Sequence, residues 1–130
     1  MHYRIYFPVL LFLLTSCARQ ISLKDDPVWM HKEFEARHFD VPLLLQAMPT
    51  SEIPECSEQG SRASYYTDIS MLEVAAYYQE HMERSGWDLL FEVHGSYEIL
   101  LTFKKPTQYA TVSIRKERNG TKLVLFVAQK

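Results

Sequence analysis

Apolar residues recur along this chain in three rhythms. Ile5 to Leu14 is a short apolar run with Pro8 as its interruption. Met71, Val74, Ala75, Tyr78 and Met82 recur at the three- and four-residue intervals of a helix and form one stripe. From Trp87 the period becomes two. Trp87, Leu89, Phe91 and Val93 alternate with Asp88, Leu90, Glu92 and His94, as in a strand with one buried face. Tyr97, Ile99, Leu101 and Phe103 repeat the alternation, followed by Ala110, Val112 and Ile114, then Leu123, Leu125 and Val127. Ala63 to Thr67 reads as a further strand ahead of the helix.

Local signals place the boundaries. Ser70-Met71-Leu72-Glu73 is a capping box, and Ile69 with Val74 forms a hydrophobic staple. Gly86 suits the left-handed residue after a helix, and Trp87 beyond it can fold back on Met82. The helix is therefore predicted over residues 71–85. Gly95-Ser96, Pro106 and Asn119-Gly120 punctuate the strands, the last being a strong hairpin signal. Short turns between strands imply antiparallel pairing. The expected fold is α+β in two layers: one main helix on a mostly antiparallel sheet, in the order strand, helix, four strands.

Upstream, Asp26-Pro27 starts a short helix to about Arg37 that bears Trp29, Met30 and Phe34. Phe39 to Glu58 holds Pro42, Pro49 and Pro54, which favour extended backbone. Val41 to Leu45 is read as an edge strand or a strap lying on the domain, and Glu55 to Ser61 as a loop. The chain thus divides into 1–16, 17–26, 27–61 and a folded unit at 62–130.

The stretch Leu14-Thr15-Ser16-Cys17 closes the first apolar run, which follows one arginine, Arg4, and no acid. About ten apolar residues are too few to cross a bilayer as a helix, which needs roughly twenty. They suit the core of a signal peptide. This segment resembles bacterial lipoprotein precursors, whose lipobox ends on the cysteine that is lipidated. The resemblance implies cleavage between Ser16 and Cys17, acyl chains on Cys17 and a periplasm-facing protein held to a membrane. Ala18 after the cysteine implies the outer membrane rather than the inner. The alternatives are an ordinary secretory signal with an incidental cysteine, or an uncleaved anchor. Arg19 to Asp26, fully extended, would reach roughly 25–30 Å, so the domain would stay near the membrane.

A second resemblance covers about residues 62–128. Tyr65-Tyr66-Thr67, Val74, Tyr77-Tyr78, Met82, Gly86-Trp87 and Phe103-Lys104-Lys105 are similar to a pattern in small exported bacterial domains of unknown function. It implies architecture and carries no catalytic residue.

Composition narrows the function. The chain has 130 residues with a formal charge of −2, and loss of residues 1–16 removes Arg4 alone, leaving −3. Nucleic acid is not an expected partner, because no basic patch is present. No phosphate-binding loop, dinucleotide fingerprint or nucleophile elbow occurs, and no cofactor or catalytic residue is implied. His31, Glu35 and His38 could share a helical face as metal ligands, but a solvated polar face is the simpler reading. His81 reads as a helix-edge residue and His94 as a turn residue. Cys56 sits in a loop sequence, open to a free thiol or a bridge between chains.

One feature invites a partner. Leu90, Leu100, Val124 and Phe126 lie on the nominally polar side of their strands. Either the strap of residues 39–53 covers them, or they form a docking face. The leading expectation is a non-catalytic lipid-anchored envelope protein that contacts another envelope, transport or assembly component through these four residues. The alternative is a binding module for a small apolar ligand, with Tyr65, Tyr77, Tyr97 and Tyr109 around a concave pocket. A metal-assisted hydrolase would need His31 and His38 to converge with a carboxylate.

Overall fold

The computed structural model describes residues 27–38 and 40–130. The lipobox, Cys17, the tether, the proposed cap Asp26 and residue 39 lie outside them. Two helices, α1 (Pro27–Arg37) and α2 (Met71–Arg84), accompany seven strands: β1 (Met48–Pro49), β2 (Glu55–Cys56), β3 (Gly60–Thr67), β4 (Asp88–His94), β5 (Glu98–Lys105), β6 (Gln108–Glu117) and β7 (Gly120–Gln129). The strands form one open antiparallel sheet in the order β1-β3-β7-β6-β5-β4, with β2 also on the edge of β3. This is the two-layer α+β arrangement that the periodicity implies.

α2 begins and ends as its sequence dictates. Ser70 Oγ accepts the N–H of Glu73, which satisfies one of the orphan donors of the first turn. At the other end Gly86 takes φ +85°. Its N–H reaches the Glu83 carbonyl and the Trp87 N–H reaches that of Met82, both at 3.0 Å. This paired closure needs a left-handed residue, which glycine adopts without a Cβ clash. The helix then packs Val74, Ala75, Tyr78 and Met82 on the sheet.

The opposing inner face of the sheet carries Ala63 and Tyr65 of β3, Ile99, Leu101 and Phe103 of β5, Val112 and Ile114 of β6, and Leu123, Leu125 and Val127 of β7, all buried. Register pairs them across strands: Tyr65 with Leu123, Leu123 with Ile114, Leu101 with Val112. β3 and β4 are sequential apart from α2, yet they lie at opposite sides of the sheet. α2 therefore spans the core, and β7 closes against β3.

Three sequence expectations need correction. The strap covers only one corner of the second face, at Glu52. Val41 and Leu44 join the core on the helix side. Trp87 Nε1 donates to the Asp40 carbonyl, Lys105 Nζ to the Asp40 carboxylate, and the Tyr77 hydroxyl to the Leu43 carbonyl. The edge beside β3 is formed by β1 and β2, not residues 41–45, so Cys56 stands in a strand rather than a loop. The last hairpin turns through Arg118-Asn119, with Glu117 facing Gly120. Gly120 thus opens β7, where a Cβ would lie 2.5 Å from the Thr67 carbonyl oxygen.

Candidate functional site

β4 holds the largest departure from simple alternation. Leu89 pairs with Phe103, but Phe91 pairs with Thr102 and Val93 with Leu100, because a bulge intervenes at Leu90. A bulge inserts one residue and reverses the facing of everything after it. Phe91 and Val93 therefore join Leu100, Val124 and Phe126 on the outer face, while Glu92 and His94 turn to the inner side. The structure brings together three of the four residues singled out from sequence. Leu90 falls at the bulge, and Phe91 and Val93 stand in its place.

That outer face is open. Phe91, Val93 and Phe126 are 50%, 54% and 43% exposed. Leu100 and Val124 are half-buried. Thr102, Thr111 and Ser113 separate them as a polar seam. One corner is covered, where Glu52 accepts from Ser64 Oγ and pairs with Lys122. These two contacts hold the Glu52 carboxyl below its ordinary range, Lys122 contributing most.

The inner layer holds a different kind of site. α1 lays His31 and Phe34 toward the sheet, His38 follows directly after its last residue, and all three are buried. The His31 ring meets Tyr65 edge-on at 4.8 Å, and Phe34 lies 4.9 Å from His38. Beneath α1 is a hollow of about 210 Å³ lined by Phe34, Glu35, His38, Val41, Pro42, Leu43, Tyr65 and Leu125. His38 is 6% exposed and Tyr65 fully buried. Neither the His38 nitrogens nor the Tyr65 hydroxyl has a hydrogen-bond partner among the described residues. The same holds for His31 and for the Tyr78 hydroxyl deeper in the core. Thr50 backbone lies near His31 and Leu44 backbone near Tyr78, but neither approach reaches hydrogen-bond geometry.

The electrostatics follow from burial. Desolvation lowers the pKa of both histidines, so each ring is held neutral. At His38 the Asp40 carboxylate partly opposes this. Desolvation raises the pKa of Tyr65 and Tyr78, so both keep their hydroxyl protons. The hollow is accordingly walled by a neutral imidazole and a protonated phenol whose polar atoms are closed off from solvent.

The other expected constellations do not form. Glu35 is exposed while His31 and His38 are buried, so the solvated-face reading of the histidines is overturned, and the three do not converge. No group of three metal-ligating side chains occurs among the described residues. The four tyrosines do not share a pocket. Tyr65 is interior, and Tyr77 stacks on His81 at 4.0 Å. Tyr97 and Tyr109 lie at opposite ends of β5. His94 ends β4 and contacts Glu92 at 3.2 Å. Cys56 is free and half-buried, and burial, with Glu33 nearby, raises its thiol pKa. The buried pair His31 and His38 had a sequence signal. With Phe34 they stand at i, i+3 and i+7, the spacing of a core-facing stripe.

A larger groove of about 810 Å³ opens at the β6–β7 turn, between Leu45, Met48, Tyr66 and Arg118. It is open to solvent, and none of its lining residues holds a buried polar atom without a partner. The inner hollow has the stronger claim as a site, despite its smaller volume. No helix of the described residues is long and apolar enough to cross a membrane.

No curated protein and no solved structure matches the chain. A family model does: it covers residues 44–121, which include β1 through the start of β7 and exclude α1. That span is more than half of the sequence, and the chain belongs to the START domain-like family.

Proposed function

We propose that this chain is a non-catalytic binding domain that is tethered to a membrane through lipidated Cys17 and takes a small, mainly apolar ligand beneath α1. The observation that carries the reading is a hollow whose wall contains the buried, unpartnered residues His38 and Tyr65, which a ligand would reach by a small opening of that wall. Leaving a buried polar group without a partner costs about 1–3 kcal/mol. A ligand with one hydrogen-bonding group would remove that cost while its apolar part meets Phe34, Val41 and Leu125. Membership of a START domain-like family supports ligand binding over catalysis. The hollow is smaller than typical drug-sized sites of roughly 300–1,000 Å³, so a small ligand fits the reading. The tether rests on the Leu14-Thr15-Ser16-Cys17 pattern. It would confine the domain to a surface and raise its effective concentration there.

The test uses the mature chain with a homologous series of aliphatic alcohols, read by calorimetry. Saturable binding that weakens several-fold in Tyr65→Phe and His38→Phe, as loss of a bond worth about 0.5–1.5 kcal/mol requires, supports the site. Ordered water at both positions with no alcohol binding refutes it. Mass spectrometry of the mature N-terminus tests the tether: acyl chains on Cys17 support it, and a bare thiol with residues 1–16 retained removes it.

A second reading rests on the open outer face. Exposed apolar patches commonly mark interaction sites, and Phe91, Val93, Leu100, Val124 and Phe126 would contact another envelope protein. Crosslinking in cells that captures one defined protein with the natural chain and loses it with Phe126→Asp supports that contact. Capture indifferent to the substitution refutes it.

A further inference from the structure

β4 is an edge strand in which all seven residues are exposed. It pairs with β5 on one side and, among the described residues, offers unpaired backbone on the other. Such edges are usually short, or protected by charge and by bulges. Here the bulge falls at Leu90, and the segment from Phe91 to His94 beyond it pairs in regular register.

The direction of the free backbone groups follows from one hydrogen bond. Gly95 N–H donates to the Glu98 carbonyl at 2.8 Å. His94 faces Ile99 and Val93 faces Leu100. In an antiparallel ladder, alternate residues aim both backbone groups at the same neighbour. Gly95, Val93 and Phe91 therefore spend theirs on β5, and Glu92 and His94 aim theirs at the open edge.

We propose that this edge is self-pairing: it takes β4 of a second copy of this chain, antiparallel, about a two-fold axis at Val93. In that register Glu92 of each copy faces His94 of the other, and their four outward-facing backbone groups close into hydrogen bonds. The side chains agree with the backbone. Glu92 and His94 share the inner side, and their mutual contact at 3.2 Å within one copy shows that they can bond there. Gln79 also donates to the Glu92 carboxylate. On the outer side Val93 meets Val93, and each Phe91 lies opposite Gly95, where its ring has room. Other two-fold registers lack this match. An axis at Glu92 sets two carboxylates opposite each other, and one at Phe91 brings in the bulged Leu90. The pairing joins the two open apolar faces into one surface, because Phe91 and Val93 belong to both edge and face. The inference is independent of the ligand reading and of the tether.

At a pair without direct hydrogen bonds the Cα atoms stand about 4.5 Å apart, within the roughly 4.4–6.8 Å that a disulfide spans. The mature full-length chain carrying Cys56→Ser and Val93→Cys is oxidised mildly, and Leu72→Cys on exposed α2 serves as control. The expected result is a bridge between the two position-93 sulfurs, mapped by peptide mass spectrometry and formed at least about tenfold faster than in the control, since pairing supplies a high effective concentration. Glu92→Lys and His94→Glu should each slow it, and the double exchange should restore it. Sedimentation of the unsubstituted chain gives an independent reading and should show a monomer–dimer equilibrium. Bridging no faster than the control, no restoration by the double exchange, or a monomer at every concentration overturns the proposal. A strand from a different protein on this edge would give the last of these.

Discussion

The two faces of one sheet are built from alternate residues of the same strands, and they obey different rules. On the inner face β3, β5, β6 and β7 present aliphatic or aromatic side chains to α1, α2 and the strap, and these side chains are buried. On the outer face Phe91, Val93 and Phe126 remain near half exposure, with no element above them among the described residues. Folding therefore accounts for the inner pattern alone. The outer pattern has no role in the core, which makes it the region where selection for contact would be read. The contrast is broken most severely from the inside. Trp87 is buried, donates to Asp40 and lies under Lys105 at 4.8 Å. Trp87→Ala should cost about 3–5 kcal/mol, the range for aromatic-to-alanine changes in cores. Phe91→Ala, at the edge of the outer face, should cost less than about 1 kcal/mol. Denaturant midpoints with unchanged slopes would measure both, and equal losses would refute the division.

Backbone contact sharpens the comparison next. Gly120 sits where β7 passes close to the end of β3, and its missing Cβ leaves room for the Thr67 carbonyl. Gly120→Ala must push two strands apart, with an expected loss above about 1 kcal/mol, more than the entropy it would recover from the unfolded chain. Thermal unfolding at matched concentration checks this.

Acid should act on the inner layer first. His31 and His38 are held neutral by burial, so their folded pKa values lie below the ordinary value near 6.5. The unfolded chain then binds more protons than the folded one as pH falls below that value, and stability drops. Each ring contributes a slope of at most about 1.4 kcal/mol per pH unit. Glu52 acts in a separate window: its lowered carboxyl pKa favours the fold above the ordinary carboxylate range, and this contribution fades as pH falls through it. Unfolding measured between pH 7 and 5 should thus weaken in the natural chain and flatten in His31→Phe/His38→Phe. An unchanged profile would show that the rings titrate normally.

How far these regions were legible in the sequence depends on how local their causes are. α2 was readable because its cap, stripe and glycine closure all lie within seventeen residues. β5 to β7 were readable because nothing interrupts their alternation. β4 was misread beyond Leu89, since a bulge depends on how the strand meets β5, and the alternating letters Leu89, Phe91 and Val93 look the same with or without it. The strap was placed on the wrong layer because the bonds that fix it, from Trp87 and Lys105 to Asp40, span 47 and 65 residues. By residue type His31 and His38 read as a wet face, although their spacing with Phe34 points inward. Tyr65 was singled out from sequence, but with partners that lie elsewhere. The START domain-like match itself was not foreseen.

The smallest expected effect on stability tests the outer face most directly. The Phe126 ring lies over Gly60, 3.5 Å from where a Cβ would stand, and its strand neighbours are Arg62 and Thr111. Phe126→Asp removes an exposed ring and sets a carboxylate opposite a guanidinium, so the two changes partly offset. The expected shift lies within about 0.5 kcal/mol, as for surface positions outside the core. Urea unfolding of the natural and substituted chains gives the number. A loss of several kcal/mol would mean that Phe126 is structural and that the outer face belongs to the fold. A shift inside the expected range, with partner capture abolished, would separate the faces completely: one holds the molecule together, and the other is free to meet something else.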